Sequence, residues 1–369
     1  MKVMHLSDLH LGKTVLEQSL IEDQKYILNE INKIIEKENI ETVLLSGDIY
    51  DKSIPPIEAV NMLDEFITKL QNKNINILII SGNHDSKDRL GFGNKILEKN
   101  KIYIETTYNG KLKKVKIDDV NFYMLPFLKP ALVKPFFDDV ESYDDAIRKI
   151  ISNEEINKDE KNIILVHQFV TSSSLEVIKS DSETVSLGGI DNVNVDIFKD
   201  FDYVAMGHIH RPQKLTRDTI RYAGSILKYS FSEANYNKSV PVIDTNNFSV
   251  NLIPLNPLHD MRIIEGTLND LLKDSSNDYI NAILLDEEEL IDPIGELRKK
   301  YPNILKLEFK NKRSFYNEDS KSMASGNVKE RTPLDLFEEF YLNQNNITLD
   351  DELREIFNDI IKEATNETN

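Results

Sequence analysis

The chain has 369 residues and no cysteine, which excludes disulfides, thiolate metal sites and cysteine nucleophiles. No apolar run approaches the ~20 residues that a membrane-spanning helix needs, and the first residues do not form a signal peptide, so we predict a cytoplasmic protein. The 63 acidic residues outnumber the 45 basic ones and give a net charge of −18, which argues against unaided binding of nucleic acid.

The first hundred residues alternate between strand and helix patterns. Short apolar runs predict strands over 3–6, 42–46 and 75–81, and helical spacing of apolar residues predicts helices over 16–38 and 57–73. A β-α-β-α-β order of this kind implies a parallel sheet with right-handed crossovers.

The next part of the chain is richer in strands. We predict strands over 120–127, 162–169 and 201–207, a helix over 143–152, and further strands between 220 and 255. Together with the first hundred residues, these segments predict a domain over residues 1–255, in which the strands form two packed sheets with helices outside.

The C-terminal third changes its pattern. Residues 256–310 predict a small α+β domain with the order β-α-β-α-β, and the polar, aperiodic residues 311–331 predict a linker. Residues 332–369 predict two short helices, each with an apolar face.

Five short hydrophobic runs end in residues that ligate metals. They read MHLSDLH (4–10), VLLSGDIYD (43–51), ILIISGNHD (77–85), ILVHQF (164–169) and VAMGHIH (204–210). Ligands of open α/β sheets bind outside the carboxyl ends of the strands, so five such runs would converge on one crevice. Carboxylate, amide and neutral imidazole groups suit hard to borderline divalent metals. The pattern therefore indicates a two-metal hydrolase.

Residues next to the ligands support this interpretation. Gly47 and Gly82 precede Asp48 and Asn83, where a glycine allows a sharp turn and close approach of the backbone.

Six of the seven histidines lie in the five runs. Of these, His5 lies within its strand and is expected to pack or hydrogen-bond in the core. The outsider, His259, has no companion ligand nearby, and we assign it no role.

The order D-x-H, G-D, G-N-H-D, H and G-H-x-H resembles the calcineurin-like metallophosphoesterase superfamily. Longer stretches narrow the resemblance to bacterial DNA nuclease subunits that work with a coiled-coil ATPase: 47–56, 81–86, 188–193, 201–213 and 223–235. The resemblance implies a two-sheet αββα core and makes residues 256–310 a capping domain that positions DNA over the metals.

The resemblance also implies a set of metal ligands. Asp8, His10 and His210 would hold the first metal; Asn83, His167 and His208 would hold the second; and Asp48 would bridge the two. Mixed nitrogen and oxygen ligands favour Mn²⁺ or Fe²⁺ over Mg²⁺, because imidazole is a poor magnesium ligand. The family points to two Mn²⁺ ions.

Three further residues have implied roles at this centre. His84 belongs to neither metal set, and it would donate to the scissile phosphate or protonate the leaving oxygen. Asp85 would either orient His84 or cap the next turn, and Arg211 would either contact a phosphate or lie on the surface. A hydroxide activated by the two metals would attack phosphorus in line.

The implied function is a metal-dependent DNA nuclease subunit. It would act as a double-strand exonuclease and a single-strand or hairpin endonuclease in DNA repair, recombination and replication. The helices of 332–369 would dock on the coiled-coil base of the ATPase, or pack on this chain's own core, and the family suggests a homodimer.

Two other functions compete with the nuclease. One is a small-substrate phosphodiesterase or phosphatase on the same core, and the other is a scaffold that has lost catalysis. The capping unit and terminal helices argue against the first, and the complete ligand set with His84 argues against the second.

Overall fold

The computed structural model describes residues 1–172, 177–183 and 191–310, with a few isolated positions between 334 and 357. The strands of this part are β1 (Lys2–Leu6), β2 (Thr14–Val15), β3 (Gln18–Ser19), β4 (Thr42–Ser46), β5 (Asn76–Ile80), β6 (Ile102–Glu105), β7 (Lys113–Ile117), β8 (Val120–Leu125), β9 (Lys161–His167), β10 (Val170–Thr171), β11 (Val193–Asn194), β12 (Tyr203–Gly207), β13 (Gln213–Lys214), β14 (Ile220–Tyr222), β15 (Ser239–Asp244), β16 (Ser249–Pro254), β17 (Met261–Gly266), β18 (Tyr279–Leu284) and β19 (Ile304–Phe309). The helices are α1 (Ile21–Glu38), α2 (Ile57–Asn72), α3 (Lys87–Leu90), α4 (Asn94–Leu97), α5 (Pro130–Val133), α6 (Tyr143–Ser152), α7 (Leu268–Leu271) and α8 (Pro293–Arg298).

Two sheets form the core, as predicted. The first has the order β16-β15-β1-β4-β5-β6, and the second has the order β13-β14-β12-β9-β8-β7. Strands β1, β4, β5 and β6 are parallel, and so are β8, β9, β12 and β14. One buried cluster joins the inner faces of both sheets, and it includes Leu44, Leu78, Phe122 and Leu165. Burial of each such side chain contributes roughly 1.5–3 kcal/mol.

Helices cover the outer faces of both sheets. Ile27, Ile31 and Phe66 on α1 and α2 pack in the cluster outside the first sheet, and Ile147 on α6 packs in the cluster outside the second. Apolar residues three and four apart place one stripe of each helix on its sheet. Asn39, in the left-handed conformation, ends α1. Among the described residues, no helix is long and apolar enough to cross a membrane.

The predicted start of the first helix at residue 16 is wrong. Residues 14–19 form the β2–β3 hairpin, and α1 begins only at Ile21. Leu16 and Glu17 both have positive φ (47° and 68°), which gives the two-residue turn that fits a hairpin. Another difference lies beyond residue 220, where β14 ends at Tyr222 and a loop with buried Ile226 and Leu227 follows. The periodicity of apolar residues therefore located the elements better than it located their ends.

Residues 261–309 contain β17, α7, β18, α8 and β19 in the predicted order, and the strands form one sheet. Packing divides the chain into two units, residues 1–283 with 292–308 and residues 284–291 with 309–369. The domain limits at 255 and 310 stay a prediction. The predicted linker (311–331), nearly all of the helical segment (332–369) and part of the motif at 188–193 lie outside the described residues.

Asp23 on α1 joins this small sheet to the core. Its buried carboxylate accepts hydrogen bonds from the hydroxyl of Tyr279 at 2.7 Å and the backbone N–H of His259 at 3.1 Å. The Nδ1 atom of His259 lies 3.0 Å from the same carboxylate. His259, for which the sequence pattern indicates no role, therefore belongs to a contact between α1 and the start of the small sheet.

We expect Asp23→Ala to lower the free energy of unfolding by about 1–3 kcal/mol, because it leaves the buried Tyr279 and the part-exposed His259 without their acceptor. Urea unfolding of the purified chain measures this change. Glu22→Ala is the control, since Glu22 is exposed on the same helix, and its effect should stay within about 0.5 kcal/mol. Equal unfolding midpoints for the two variants would contradict the role of Asp23.

Candidate metal centre

Each predicted site residue follows the carboxyl end of a parallel strand. The loop after β1 carries Asp8 and His10, the loop after β4 carries Asp48, the loop after β5 carries Asn83 and His84, His167 ends β9, and the loop after β12 carries His208 and His210. Since β1, β4 and β5 are neighbours in one sheet, and β9 and β12 in the other, these loops meet at one edge of the two-sheet core.

The backbone at these loops adopts an uncommon conformation. Asp8, His10, Asp48 and His208 have positive φ angles of 52°, 43°, 49° and 96°. Residues other than glycine rarely adopt this region, and each instance costs about 1–3 kcal/mol. Such strain concentrates at functional sites, where the surrounding structure holds side chains in a required position.

Two glycines allow the loops to approach each other closely, as the sequence predicted. A Cβ atom on Gly82 would lie 2.1 Å from Oδ1 of Asp48. A Cβ atom on Gly47, whose φ is +87°, would lie 2.3 Å from Nδ1 of His167. Any side chain at these positions would therefore push Asp48 or His167 out of the cluster.

The structure brings together the three residues of the first predicted ligand set. Ligand atoms of Asp8, His10 and His210 all lie within 4.8 Å of one another, and all three residues are buried. The Nε2 atoms of His10 and His210 face each other at 3.1 Å. Two imidazole nitrogens and a carboxylate oxygen thus converge on one point.

The second predicted set also converges. Oδ1 of Asn83 lies 3.1 Å from Nε2 of His167 and 3.0 Å from Nδ1 of His208. Oδ2 of Asp48 lies 3.6 Å from Nε2 of His10 and 3.4 Å from Nε2 of His167, between the two sets. The positions match the predicted division of ligands, while their roles as ligands stay a prediction.

Hydrogen bonds fix the orientation of two rings at this centre. Nδ1 of His167 donates to the carbonyl oxygen of Ser46 at 2.7 Å, so that Nε2 faces the cluster. Nδ1 of His84 donates to the carbonyl oxygen of Asp51 at 2.9 Å, and its Nε2 lies 4.0 Å from Asp48. Ligating histidines usually donate their second nitrogen in this way.

The charges of the cluster favour a cation. Burial lowers the pKa of His208 to about 3 and that of His210 to about 4, so both rings are neutral at pH 7. Burial raises the pKa of Asp8 to about 7. Burial opposes ionisation of Asp48 as well, but the nearby rings of His167, His10 and His84 hold its pKa well below the usual range.

His167 shows how strongly this cluster attracts positive charge. Burial alone would lower its pKa, but the carboxylate of Asp48 raises it to about 9, so the negative charge of Asp48 favours a cationic ring in the metal-free cluster. Carboxylate oxygens, an amide oxygen and imidazole nitrogens are a donor set for Mn²⁺, Fe²⁺ or Zn²⁺, and the residues therefore fit divalent metals.

Further residues, not predicted from the sequence, contact the candidate ligands from the side away from the cluster. Oδ1 of Asp51 lies 3.4 Å from Nδ1 of His10 and 2.7 Å from Nζ of Lys13. The amide of Gln24 on α1 donates to the carbonyl oxygen of His10 at 2.8 Å. Asp51 ends one of the five quoted runs, which is a signal that could have indicated its role. Gln24 gives no such signal in the sequence.

Asp85 does not contact the side chain of His84, so the prediction that it orients His84 is not supported. Its buried carboxylate accepts the backbone N–H groups of Gly82 at 2.8 Å, Tyr50 at 3.0 Å and Ile49 at 3.1 Å. The first bond closes the turn before Asp85, and not the next turn as the alternative prediction had it, and the other two join the loops after β4 and β5. Burial raises the pKa of Asp85 to about 6.

We expect Asp85→Ala to weaken Mn²⁺ binding about 10-fold or more, because the loops that carry Asp48 and Asn83 lose their connection. Calorimetric titration of the metal-free chain with Mn²⁺ measures the affinity. Asp88→Ala, an exposed neighbour on α3, is the matched control and should leave the affinity unchanged. Equal affinities in both variants would contradict this role of Asp85.

Arg211, the last residue with an implied role, lies at the edge of this region. Its guanidinium group stacks on the ring of Tyr236 at 4.8 Å from the ring centre. The contact holds the side chain beside the cluster and leaves both predicted roles, phosphate contact and surface residue, as predictions.

Comparison with known proteins agrees with this geometry. The sequence profile described as calcineurin-like phosphoesterase matches residues 1–212, more than half of the chain. The fold is that of a calcineurin-like phosphoesterase, and the chain belongs to that family. A second profile, described as the type 5 capsule protein repressor C-terminal domain, matches residues 257–345.

A full-length relative narrows the family. The SbcD subunit of the nuclease SbcCD from Staphylococcus epidermidis is 33% identical over 376 residues, which cover 98% of this chain and 97% of the relative. Within the phosphoesterases, the chain is therefore a member of the SbcD family.

Solved structures show more distant likenesses. A dimetal phosphatase from Danio rerio has 11% identity and a TM-score of 0.40, over 66% of this chain and 91% of its own. A protein from Thermus thermophilus has 10% identity and a TM-score of 0.42, over 69% of this chain and 99% of its own.

Proposed function

We propose that this chain is the nuclease subunit of an SbcCD-type complex and hydrolyses phosphodiester bonds of DNA at a two-metal centre. The observation that carries the proposal is the position of Asp48, whose Oδ2 lies between a nitrogen of each predicted ligand set. The SbcD-type relative, a nuclease subunit that aligns over nearly the whole chain, supports a nucleic acid as the substrate. Mn²⁺ is the proposed metal, with Fe²⁺ second and Mg²⁺ third.

The predicted ligands would hold the two ions as the sequence divides them. Asp8, His10 and His210 would bind the first, Asn83, His167 and His208 the second, and Asp48 both. The chemistry that bound divalent ions would supply here is polarisation of the phosphate and a lower pKa of water.

His84 would move a proton during the reaction. The carbonyl oxygen of Asp51 accepts its Nδ1–H group, and its Nε2 faces Asp48 at the rim of the cluster, 4.0 Å from the carboxylate. The side chain is a quarter exposed, whereas the neighbouring His10 and His167 are buried, so His84 can reach a bound phosphodiester. A proton on Nε2 would stabilise the phosphate oxygens or pass to the leaving oxygen.

The net charge of −18 argues against unaided binding of DNA, so a partner would share the contacts with DNA. We propose that the helices of 332–369 dock on the coiled-coil base of an SbcC-type ATPase and that residues 256–310 position the DNA. The stacking of Phe337 on Phe357 at 3.7 Å, one residue in each predicted helix, supports a paired helical unit. Roles in repair, recombination and replication, and a cytoplasmic location, stay predictions.

We propose further that two copies of this chain form a homodimer. Ile54, Ile57, Phe92 and Ile96 are between 69% and 85% exposed. Ile54 and Ile57 lie in the connection that follows β4, and Phe92 and Ile96 lie in the connection that follows the neighbouring strand β5. An exposed apolar surface of this kind favours contact with a second copy.

The paired change Ile57→Lys and Phe92→Glu is expected to convert a dimer into a monomer, because it places charge in the apolar contact. Light scattering during size-exclusion chromatography measures the mass at one fixed concentration. Leu252→Lys, at an exposed apolar residue on the strand β16, is the control and should remain dimeric. A monomeric wild type, or a dimeric double variant, would contradict the proposed interface.

Nuclease activity can be tested directly with the full chain, alone and with an SbcC-type partner. The substrates are a linear duplex, for exonuclease activity, and a single-stranded circle, for endonuclease activity, each with Mn²⁺, Mg²⁺ or EDTA. We expect cleavage that requires the metal and is fastest with Mn²⁺. Brisk hydrolysis of bis(p-nitrophenyl) phosphate without cleavage of any DNA would favour the small-substrate phosphodiesterase instead.

A further inference from the structure

A chain of side-chain hydrogen bonds leads to Nδ1 of His210. We call this chain, formed by Ser182, Glu233 and Lys238, the relay. Oγ of Ser182 lies 2.7 Å from Nδ1 of His210 and 2.8 Å from Oε1 of Glu233. An ionised carboxylate only accepts, so the hydroxyl of Ser182 donates to Glu233 and accepts from His210. This direction places the proton of the neutral ring on Nδ1 and leaves Nε2 of His210 free to bind a metal.

The carboxylate of Glu233 is fully buried and collects donors from several sides. It accepts the backbone N–H group of Tyr229 at 3.1 Å and the hydroxyl of Tyr236 at 3.3 Å. The ammonium group of Lys238 also contacts it, and the same group donates to the carbonyl oxygen of His210 at 2.7 Å. Lys238 therefore contacts the backbone of His210, and Glu233 contacts the ring of His210 through Ser182.

A buried ion pair is a costly way to stabilise a fold, since apolar residues of similar size often serve as well. This pair instead makes its contacts with one candidate metal ligand. The corresponding ring of the second set, His167, relies on the backbone carbonyl of Ser46 in strand β4. The two metal positions thus differ in their support, because only the first depends on side chains from residues 182 and 233–238.

We propose that Glu233 and Lys238 are positioning residues for the first metal, with Glu233 acting through Ser182 to hold the tautomer of His210. The inference rests on the proposed metal centre and assigns these residues a task within it. Loss of the relay should lower the affinity for the first metal and leave the second metal bound. Within the described part of the chain, no residue of the relay contacts Asn83 or His167.

The test is a Mn²⁺ titration of the full metal-free chain by calorimetry, which counts sites and affinities without any turnover. Glu233→Gln keeps the size of the side chain and removes its charge, and Ser182→Ala removes the hydroxyl that connects it to His210. In both variants, we expect the affinity of one site for Mn²⁺ to fall by about 10–100-fold and the affinity of the other site to stay unchanged. Spectra of ¹⁵N-labelled histidine in the metal-free chain should show that His210 loses its Nδ1–H tautomer.

Asp260→Asn is the matched control, since Asp260 also pairs with a buried lysine. Its carboxylate lies 2.9 Å from Nζ of Lys228, and neither residue contacts a candidate ligand. Its two sites should keep the affinities of the wild type. Should Glu233→Gln fail to fold, Ser182→Ala at the half-buried end of the relay decides the question. Two unchanged sites in Ser182→Ala would overturn the relay, whereas a wild type that binds fewer than two ions would overturn the metal centre itself and the relay with it.

Discussion

Replacement of His84 by glutamine is expected to reduce kcat for DNA cleavage by about 10²–10⁴-fold while two Mn²⁺ ions remain bound. His84 is the one histidine near the cluster whose ring is part-exposed, and the carbonyl oxygen of Asp51 fixes its orientation. Glutamine can still donate a hydrogen bond but cannot transfer a proton at neutral pH. The loss should therefore affect kcat more than KM.

Steady-state cleavage of a labelled duplex, together with a Mn²⁺ titration of the same variant, measures both parts of this expectation. His259→Gln is the matched control, because its side chain is 27% exposed against 25% for His84, and it lies away from the candidate ligands. Its hydrolysis of bis(p-nitrophenyl) phosphate should equal that of the wild type. Loss of a metal in His84→Gln would make His84 a ligand, and full activity would remove it from the mechanism.

The sequence was sufficient to predict the two-sheet core and the convergence of the candidate ligands. Apolar runs gave the strands, and a general property of α/β sheets placed the residues after β1, β4, β5, β9 and β12 at one edge. The spacing inside each run was local information, so Asp8 and His10, or His208 and His210, could be recognised as pairs. Their division between two metals came from family resemblance alone.

The relay to His210 and the contact of Asp23 with His259 could not be predicted, because their residues are far apart in the sequence. Ser182 and Glu233 are 51 residues apart, and Asp23 and His259 are 236 residues apart. A lone serine, glutamate or lysine has no periodic pattern that would distinguish it from a surface residue. The hairpin before α1 was missed for a different reason, since Leu16 and Glu17 adopt positive φ without a glycine or asparagine to indicate it.

Asp48→Ala is expected to abolish binding at both metal positions and to lower cleavage by about 10³-fold or more. Oδ2 of Asp48 lies between the rings of His10 and His167, so its loss removes a ligand from each set. Oδ1 accepts the backbone N–H group of His84 at 2.9 Å, and its loss also releases the loop that carries the proposed proton donor. We therefore expect a larger effect than for any change in one set alone.

Thermal unfolding with and without Mn²⁺ separates this bridging role from that of an ordinary ligand. Metal at 100 times its Kd should stabilise the wild type by about 2.7 kcal/mol per site, and it should leave Asp48→Ala unchanged. His208→Ala, which alters only the second set, should keep the stabilisation from one site. If Asp48→Ala and His208→Ala respond to Mn²⁺ alike, Asp48 belongs to one metal only, and the two positions do not share a ligand.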